Sequence, residues 1–191
     1  MIPFATGGFA DIFGVRHRNG TLLAVKIPRL SSNDSDDGRK AAAHGIYNWS
    51  KCRHPNVHEL LGFAIFHGRI GMVSPYESNG NVRYYLATNR LPIEARLKLC
   101  AEISEGVSYL HGIGIVHGDI KGNNVLISKH GTPKLTDFDN AELAESSLDF
   151  TGTGGLIFSP RWTAPEVILQ STGKTCESDV YSLGMTILAS S

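Results

Sequence analysis

The chain has 191 residues, 41% of them hydrophobic and 19% charged, an ordinary globular composition. Its 18 Lys and Arg balance 18 Asp and Glu, so no net field draws it to nucleic acid or to an anionic membrane. No apolar run reaches the roughly 18 residues of a membrane span, and no secretory signal peptide is seen. The three cysteines, Cys52, Cys100 and Cys176, are too scattered for a zinc cluster or a disulfide framework, and read as reduced, buried thiols of a cytosolic protein.

Taken in chain order, residues 2–4 read as a first strand. Residues 11–16 and 22–27 follow as β-branched and aromatic strands, with Asn19-Gly20 between them as a hairpin signal. Residues 31–38, SSNDSDDG, form an acidic loop. Counted from Asn33, its twelfth position is His44 and not the Glu that a calcium loop requires. Residues 39–52 read as a helix with Ala42, Ile46 and Trp49 on one face, ended by His54-Pro55-Asn56. Two more strands are predicted at 60–66 and 70–74, and ESNGN at 77–81 reads as a linker.

The second half turns helical. Ile93, Leu97, Cys100, Ile103, Val107 and Leu110 recur at three- and four-residue steps, the stripe of a core-facing helix, and Gly112 reads as its stop. A short strand is predicted at 133–136. The chain stops at 187–191 inside an apolar, helix-like segment, so the sequence reads as a fragment of a longer protein.

Between the long helix and that strand lies VHGDIKGNNVLI, residues 116–127, which puts a carboxylate, an amine and an amide into one Gly-containing loop at Asp119, Lys121 and Asn124. These groups suit phosphoryl transfer, which needs an oriented hydroxyl, neutralised charge and a metal held between phosphates. Asp119 can accept the hydroxyl proton, Lys121 can face the phosphoryl oxygens, and the Asn124 carbonyl oxygen suits a hard cation such as Mg²⁺. Asp137, thirteen residues after Asn124, adds an anionic oxygen ligand. Lys26 sits inside the apolar run LLAVKI, where an unpaired ammonium is costly, so it should have an anionic partner.

With these motifs the sequence resembles the eukaryotic protein-kinase family, in its tyrosine-kinase-like Ser/Thr flavour, over nearly the whole chain. The catalytic-loop pattern H-R-D-x-K-x-x-N reads His117-Gly118-Asp119-Ile120-Lys121-Gly122-Asn123-Asn124, D-F-G reads Asp137-Phe138-Asp139, and A-P-E is intact at Ala164-Pro165-Glu166. V-A-I-K appears in Ala24-Val25-Lys26, and SDVYSLG at 178–184 looks like the start of the buried helix after A-P-E.

The resemblance implies an α+β, protein-kinase-like bilobal fold, with a β-rich N-lobe at 1–77 and a partial, helical C-lobe at 78–191, cut within the long helix after A-P-E. It implies a Ser/Thr protein kinase that uses ATP and Mg²⁺ on a protein hydroxyl, or alternatively a pseudokinase acting as a nucleotide-binding or scaffolding module. No nucleic-acid partner or membrane span is implied, and the oligomeric state is left open. Lys26 would hold the α- and β-phosphates, Asp119 would be the base, and Asn124 and Asp137 the metal ligands. Gly7 and Gly8 would cover the phosphates, and Phe4, Ile12, Ala24 and Leu126 would sandwich the adenine. Ser74 would be the gatekeeper, and Pro75, Tyr76 and Glu77 the hinge, with the Pro75 carbonyl and the Glu77 amide facing the base. Ser159 would tie its loop to Asp119 and Lys121. H-G-D-x-x-x-x-N also occurs in small-molecule phosphotransferases, but RWTAPE and Lys121 favour a protein substrate.

Four departures stand out. The first and third glycines of the Gly-rich loop are Ala5 and Ala10, so weaker nucleotide binding is expected. The helix Glu that pairs with the strand lysine in the family is Gly45 here, which has no carboxylate. Gly118 stands in place of the Arg that meets an activation-segment phosphate, although Ser146, Ser147, Thr151 and Thr153 are available. Asp139 replaces the Gly of D-F-G. The family's Arg partner for Glu166 lies outside the chain, so an unpaired carboxylate is expected there.

Overall fold

A computed structural model describes residues 5–6, 10–28, 43, 46–66, 68–143 and 159–190. The predicted strand at 2–4 and the N-terminal part of the helix at 39–52, with Ala42 and Gly45, lie outside them, as do Phe4, Gly7, Gly8, the 31–38 loop and the four candidate activation-segment hydroxyls.

The first part is a five-stranded antiparallel sheet in the order β1-β2-β3-β5-β4. Its strands are β1 (Ala5–Thr6), β2 (Ala10–Arg16), β3 (Leu22–Pro28), β4 (Gly62–Phe66) and β5 (Arg69–Pro75). The β2–β3 hairpin turns at Asn19-Gly20 as expected: Gly20 takes φ +89°, and its N–H donates to His17 O. Strand alternation then sorts the side chains. Phe13 pairs with Val25, and with Ile27 these bury on one face, whereas Ile12 opposite Lys26 and Ala24 opposite Ser74 share the other. That second face forms one wall of a cleft. Gly71 of β5 lies against β3 so closely that a Cβ would stand 2.6 Å from Val25 Cγ1.

Residues 46–51 form helix α1, which buries Trp49. The segment after it crosses to the second part by backbone pairing. His58 N–H donates to Leu135 O, Leu135 N–H to Asn56 O, and the Asn56 side chain to Pro133 O. The predicted linker at 77–81 does more than connect: Asn81 caps a helix absent from the sequence reading, α2 (Val82–Thr88), by accepting from Tyr84 N–H.

Helix α3 (Ile93–Gly112) is where predicted, but its buried stripe starts later. Leu99, Ile103, Gly106, Val107 and Leu110 are buried, whereas Ile93 and Leu97 are 56% and 61% exposed and Cys100 is half-buried. The apolar period holds for the last three turns only: in the first two, the buried phase runs through Leu99, and Ile93 and Leu97 face outward. The stop is Gly114 at φ +73° and not Gly112, since only the former takes the left-handed conformation that ends the helix. Cys52 is buried, but Cys100 and Cys176 are half-exposed, which corrects the expectation that all the thiols are buried.

Short elements complete the fold. β6 (Ile115–Val116) pairs with β9 (Glu142–Leu143), and β7 (Val125–Ile127) with β8 (Pro133–Leu135), where one residue less is strand than expected. Helix α4 (Pro165–Ile168) and helix α5 (Cys176–Ser190) follow. The main core runs from Trp49 and Met72 through Ile103, Val107 and Leu110 to Val125, Ile127, Leu135 and Phe138, so it binds both parts together. No helix of the described residues is long and apolar enough to cross a membrane.

Candidate active site

The catalytic-type loop is held from both ends by the two small sheets. β6 delivers His117–Lys121, a 3-10 turn at Gly122–Asn124 closes the loop, and β7 leads away. Beneath it Asp179, on the first turn of α5 and buried, accepts from the N–H of His117 (2.7 Å) and of Gly118 (2.9 Å), and pairs with His111 Nε2 at 3.0 Å. One carboxylate thus satisfies two loop amides that would otherwise be buried and unpaired.

Gly118 has φ +73°, and a Cβ there would stand 2.6 Å from Lys174 Cδ and 2.7 Å from Asn140 O. The Lys174 stem therefore fills the space over this glycine, and its ammonium donates to Asn140 Oδ1 at 3.2 Å. Burial pushes the Lys174 pKa below its ordinary value, against the opposing pull of Glu142, Asp119 and Asp179.

The reactive groups converge. Lys121 Nζ donates to Asp119 Oδ2 at 2.7 Å and to Ser159 Oγ at 2.9 Å, and Ser159 Oγ reaches Asp119 Oδ1 at 3.3 Å. Asn124 Nδ2 donates to the Asp119 carbonyl and to Asp119 Oδ2, both at 2.9 Å. With the amide nitrogen so committed, the Asn124 carbonyl oxygen is the end left for a cation. Thr136 O accepts from His117 Nε2 at 3.0 Å, and Thr136 N–H donates to Asn124 O, which fastens the loop to the segment bearing Asp137.

Asp137 adopts φ 71°, ψ 68°, a left-handed conformation costing a non-glycine residue about 1–2 kcal/mol. The next residue shows what holds it there. Phe138 is buried, stacked on Trp49 (ring centroids 5.9 Å apart, 11° between planes) and tilted against His117 at 5.2 Å. The Trp49 indole N–H in turn donates to His58 O.

Among the described residues Lys26 finds its anions in the turn at 137–139. Its Nζ lies 2.6 Å from Asp137 Oδ1 and 2.6 Å from Asp139 Oδ2. Burial pulls the Lys26 pKa down, but the two carboxylates outweigh it and leave it above the ordinary lysine value. Burial likewise pushes at Asp137, where Lys26 wins and the carboxyl lies below its usual range. Asp139 ends above it, from burial and from the charge of Asp137.

All these groups open on one cleft of about 1270 Å³ between the sheet and the helical part. Lys26, Asp119, Lys121, Asn124 and Asp137 line it, as do Ile12, Ala24, Ser74, Pro75, Tyr76, Glu77 and Leu126. Ser74 is buried. His58 and Trp49, which sequence reasoning did not place in the site, line it too, and His58 Nδ1 stands 3.6 Å from Glu77 Oε1. In the sequence Asp139 stands out only as a departure from D-F-G, and its spacing does not announce contact with Lys26. Glu166 makes no ion pair among the described residues.

A two-part α+β fold with such a cleft at its waist, a carboxylate–lysine–amide loop on one wall and a strand lysine on the other, has the architecture of a bilobal phosphotransferase. Comparison with known families matches residues 5–190 to the protein kinase domain, and the chain belongs to that family. It is 32% identical over 187 residues to dual specificity testis-specific protein kinase 2 of Homo sapiens, covering 95% of this chain and 32% of the relative. It is 33% identical over 189 residues to mitogen-activated protein kinase kinase kinase YODA of Arabidopsis thaliana (95% and 21%) and 32% identical over 185 residues to serine/threonine-protein kinase dst1 of Dictyostelium discoideum (95% and 24%). The chain thus spans a third or less of the length of these three relatives.

Proposed function

We propose that the chain carries out serine/threonine protein phosphorylation, with the γ-phosphate of ATP passing to a hydroxyl of a protein partner. The observation that supports this most directly is the hydrogen-bonded set of Asp119, Lys121, Asn124 and Ser159 facing Lys26 and Asp137 across one cleft. On this reading residues 1–77 act as the nucleotide-covering lobe and 78–191 as the catalytic lobe.

The donor set suits ATP and Mg²⁺, which protein kinases use generally. The Asp137 carboxylate and the Asn124 carbonyl oxygen are hard oxygen ligands of the kind Mg²⁺ takes, and Lys26 is a cation placed for the α- and β-phosphates. Bound Mg²⁺ would neutralise charge building on the phosphoryl oxygens. The chain's own residues do the rest. Asp119 Oδ1 or Oδ2 receives the substrate hydroxyl proton, Lys121 holds that carboxylate in place and supplies positive charge, and Ser159 fixes both. Ile12, Ala24 and Leu126 offer apolar surface to a purine, with Ser74 at the back and the Pro75–Glu77 backbone at its edge; Phe4, Gly7 and Gly8 would complete the enclosure.

Phosphate transfer from radiolabelled ATP to a general protein substrate tests the assignment. Incorporation should vanish in Asp119→Asn, whereas the rise in melting temperature with Mg²⁺ and ATP should persist. Incorporation that survives that substitution rejects the catalytic role of Asp119. A second reading, a pseudokinase that binds nucleotide without turnover, has one observation in its favour: Lys26 is engaged by two carboxylates at once. On that reading the melting shift appears with no incorporation.

A further inference from the structure

One ammonium needs one carboxylate, yet Lys26 has two at equal distance. The two are not equivalent in the fold. The nucleotide reading assigns the oxygens of Asp137 to a cation, and once they are so engaged their hold on Lys26 weakens, because the metal and the ammonium compete for the same lone pairs. On that reading Asp139 is not one of the metal ligands. It lies in the 3-10 turn Phe138–Asn140, and that turn is fixed on both sides. Phe138 is wedged between Trp49 and His117, Ala141 N–H returns to Phe138 O, and Asn140 is held by Lys174. The Asp139 carboxylate is therefore presented to Lys26 by a rigid support and not by a free loop. The helix position that carries the lysine's carboxylate partner in the family is Gly45 here, which has no side chain.

We propose that Asp139 is a positioning residue that keeps Lys26 extended across the cleft toward the phosphates, so that Asp137 is released for the metal. This rests on the nucleotide reading above. Asp139 acts through Lys26 and does not touch the nucleotide itself. Its removal should therefore weaken recognition of the triphosphate and spare recognition of the nucleoside.

The test is calorimetric titration of the intact chain with Mg²⁺·ATP and, separately, with adenosine. In Asp139→Asn the Kd for Mg²⁺·ATP should rise about fivefold, the upper end of what one partly exposed ion pair contributes, with the adenosine Kd held within about twofold. Asp139→Glu, which keeps the charge, should recover most of the loss, and Asp139→Gly should reproduce it. The inference is overturned if either Asp139→Asn or Asp139→Gly leaves Mg²⁺·ATP binding unchanged. Tighter binding also overturns it, since Asp139 would then be a competitor of the phosphates, and so does equal weakening of both ligands, which marks a merely structural role. A wild-type chain that binds neither ligand rejects the nucleotide reading itself, an outcome distinguishable from all of these.

Discussion

The Nζ of Lys26 stands 2.6 Å from Oδ2 of Asp139, a residue that occupies the third position of a D-F-G-type motif where a side chain is not expected. The contact pulls a third charge into a pair. Asp137 and Asp139 repel one another, and the lysine between them is what makes their proximity tolerable. Each carboxylate keeps more than a third of its side-chain exposure, 37% and 43%, so water screens part of every term.

Lys26→Met should therefore cost stability as well as nucleotide binding. With the ammonium gone, the two carboxylates face each other, and Asp139, already held above its usual range by burial and by Asp137, rises further. A carboxyl whose folded pKa is raised stabilises the fold at low pH, and that contribution is lost as pH rises through the folded value. The melting temperature of the variant should fall from pH 4 to pH 7 relative to wild type, by an amount equivalent to about 1–2 kcal/mol after screening. Differential scanning calorimetry across that range checks it; a constant offset between the two curves would count against the charge argument.

His58 predicts the opposite slope. Burial lowers its pKa from 6.5 to about 4, Lys134 adds to the shift, and a hydrogen bond with the Pro75 backbone opposes it. A base with a depressed folded pKa contributes stability above its unfolded value that is lost as pH falls toward the folded one. Between pH 6.5 and 4 the chain should lose up to about 3 kcal/mol from this residue. Glu77, whose carboxyl burial holds above its usual range, works the other way as pH rises. His58→Asn should flatten the acid limb of an unfolding-versus-pH curve monitored by tryptophan fluorescence, because the neutral amide has no proton to gain.

How much of this was legible in the sequence divides along one line. Local signals were readable: the hairpin at Asn19-Gly20, the α3 periodicity over Ile103–Leu110 and the loop from His117 to Asn124 all report interactions within a few residues. Motif order also puts Lys26, Ser74–Glu77, Asp119, Asn124 and Asp137 on one list, and these residues line one cleft. The Lys26–Asp139 contact was not, since it joins residues 113 apart and depends on the way Phe138 is gripped. Helix α2 was missed because ESNGN reads as turn chemistry, and Asn81 is both a turn former and a helix cap. Ile93 and Leu97 fit a helical period as well as Leu99 does, and sequence alone does not say which phase meets the core.

Gly118→Ala tests whether this glycine is a mere loss of the family's arginine or a fitted part. A methyl there meets Asn140 O, a backbone atom, at 2.7 Å and the Lys174 stem at 2.6 Å, and φ +73° adds about 1–2 kcal/mol of its own. Lys174 can swing aside, but the carbonyl cannot without moving the turn that bears Asp139. Destabilisation of roughly 2–3 kcal/mol is expected, read as a drop in urea midpoint at unchanged slope. A midpoint equal to wild type would show that the turn yields freely.

Asp179→Asn separates support of the loop from chemistry at it. Asp179 lies 1% exposed, and its two oxygens accept from His117 N–H, Gly118 N–H and His111 Nε2. An amide in its place keeps the shape but offers one oxygen and one NH₂, so at least one loop N–H must face a donor. Bonds to a charged acceptor contribute about 1.5–3 kcal/mol each, and a buried donor left unpaired costs a similar amount. The variant should be destabilised by about 2–4 kcal/mol, a fall of roughly 10 °C in melting temperature for a domain of this size. Because Asp179 holds the amides of His117 and Gly118 just before Asp119, kcat for phosphate transfer should fall while the Kd for adenosine stays put. If kcat and the melting temperature both match wild type, the three contacts do not hold the loop.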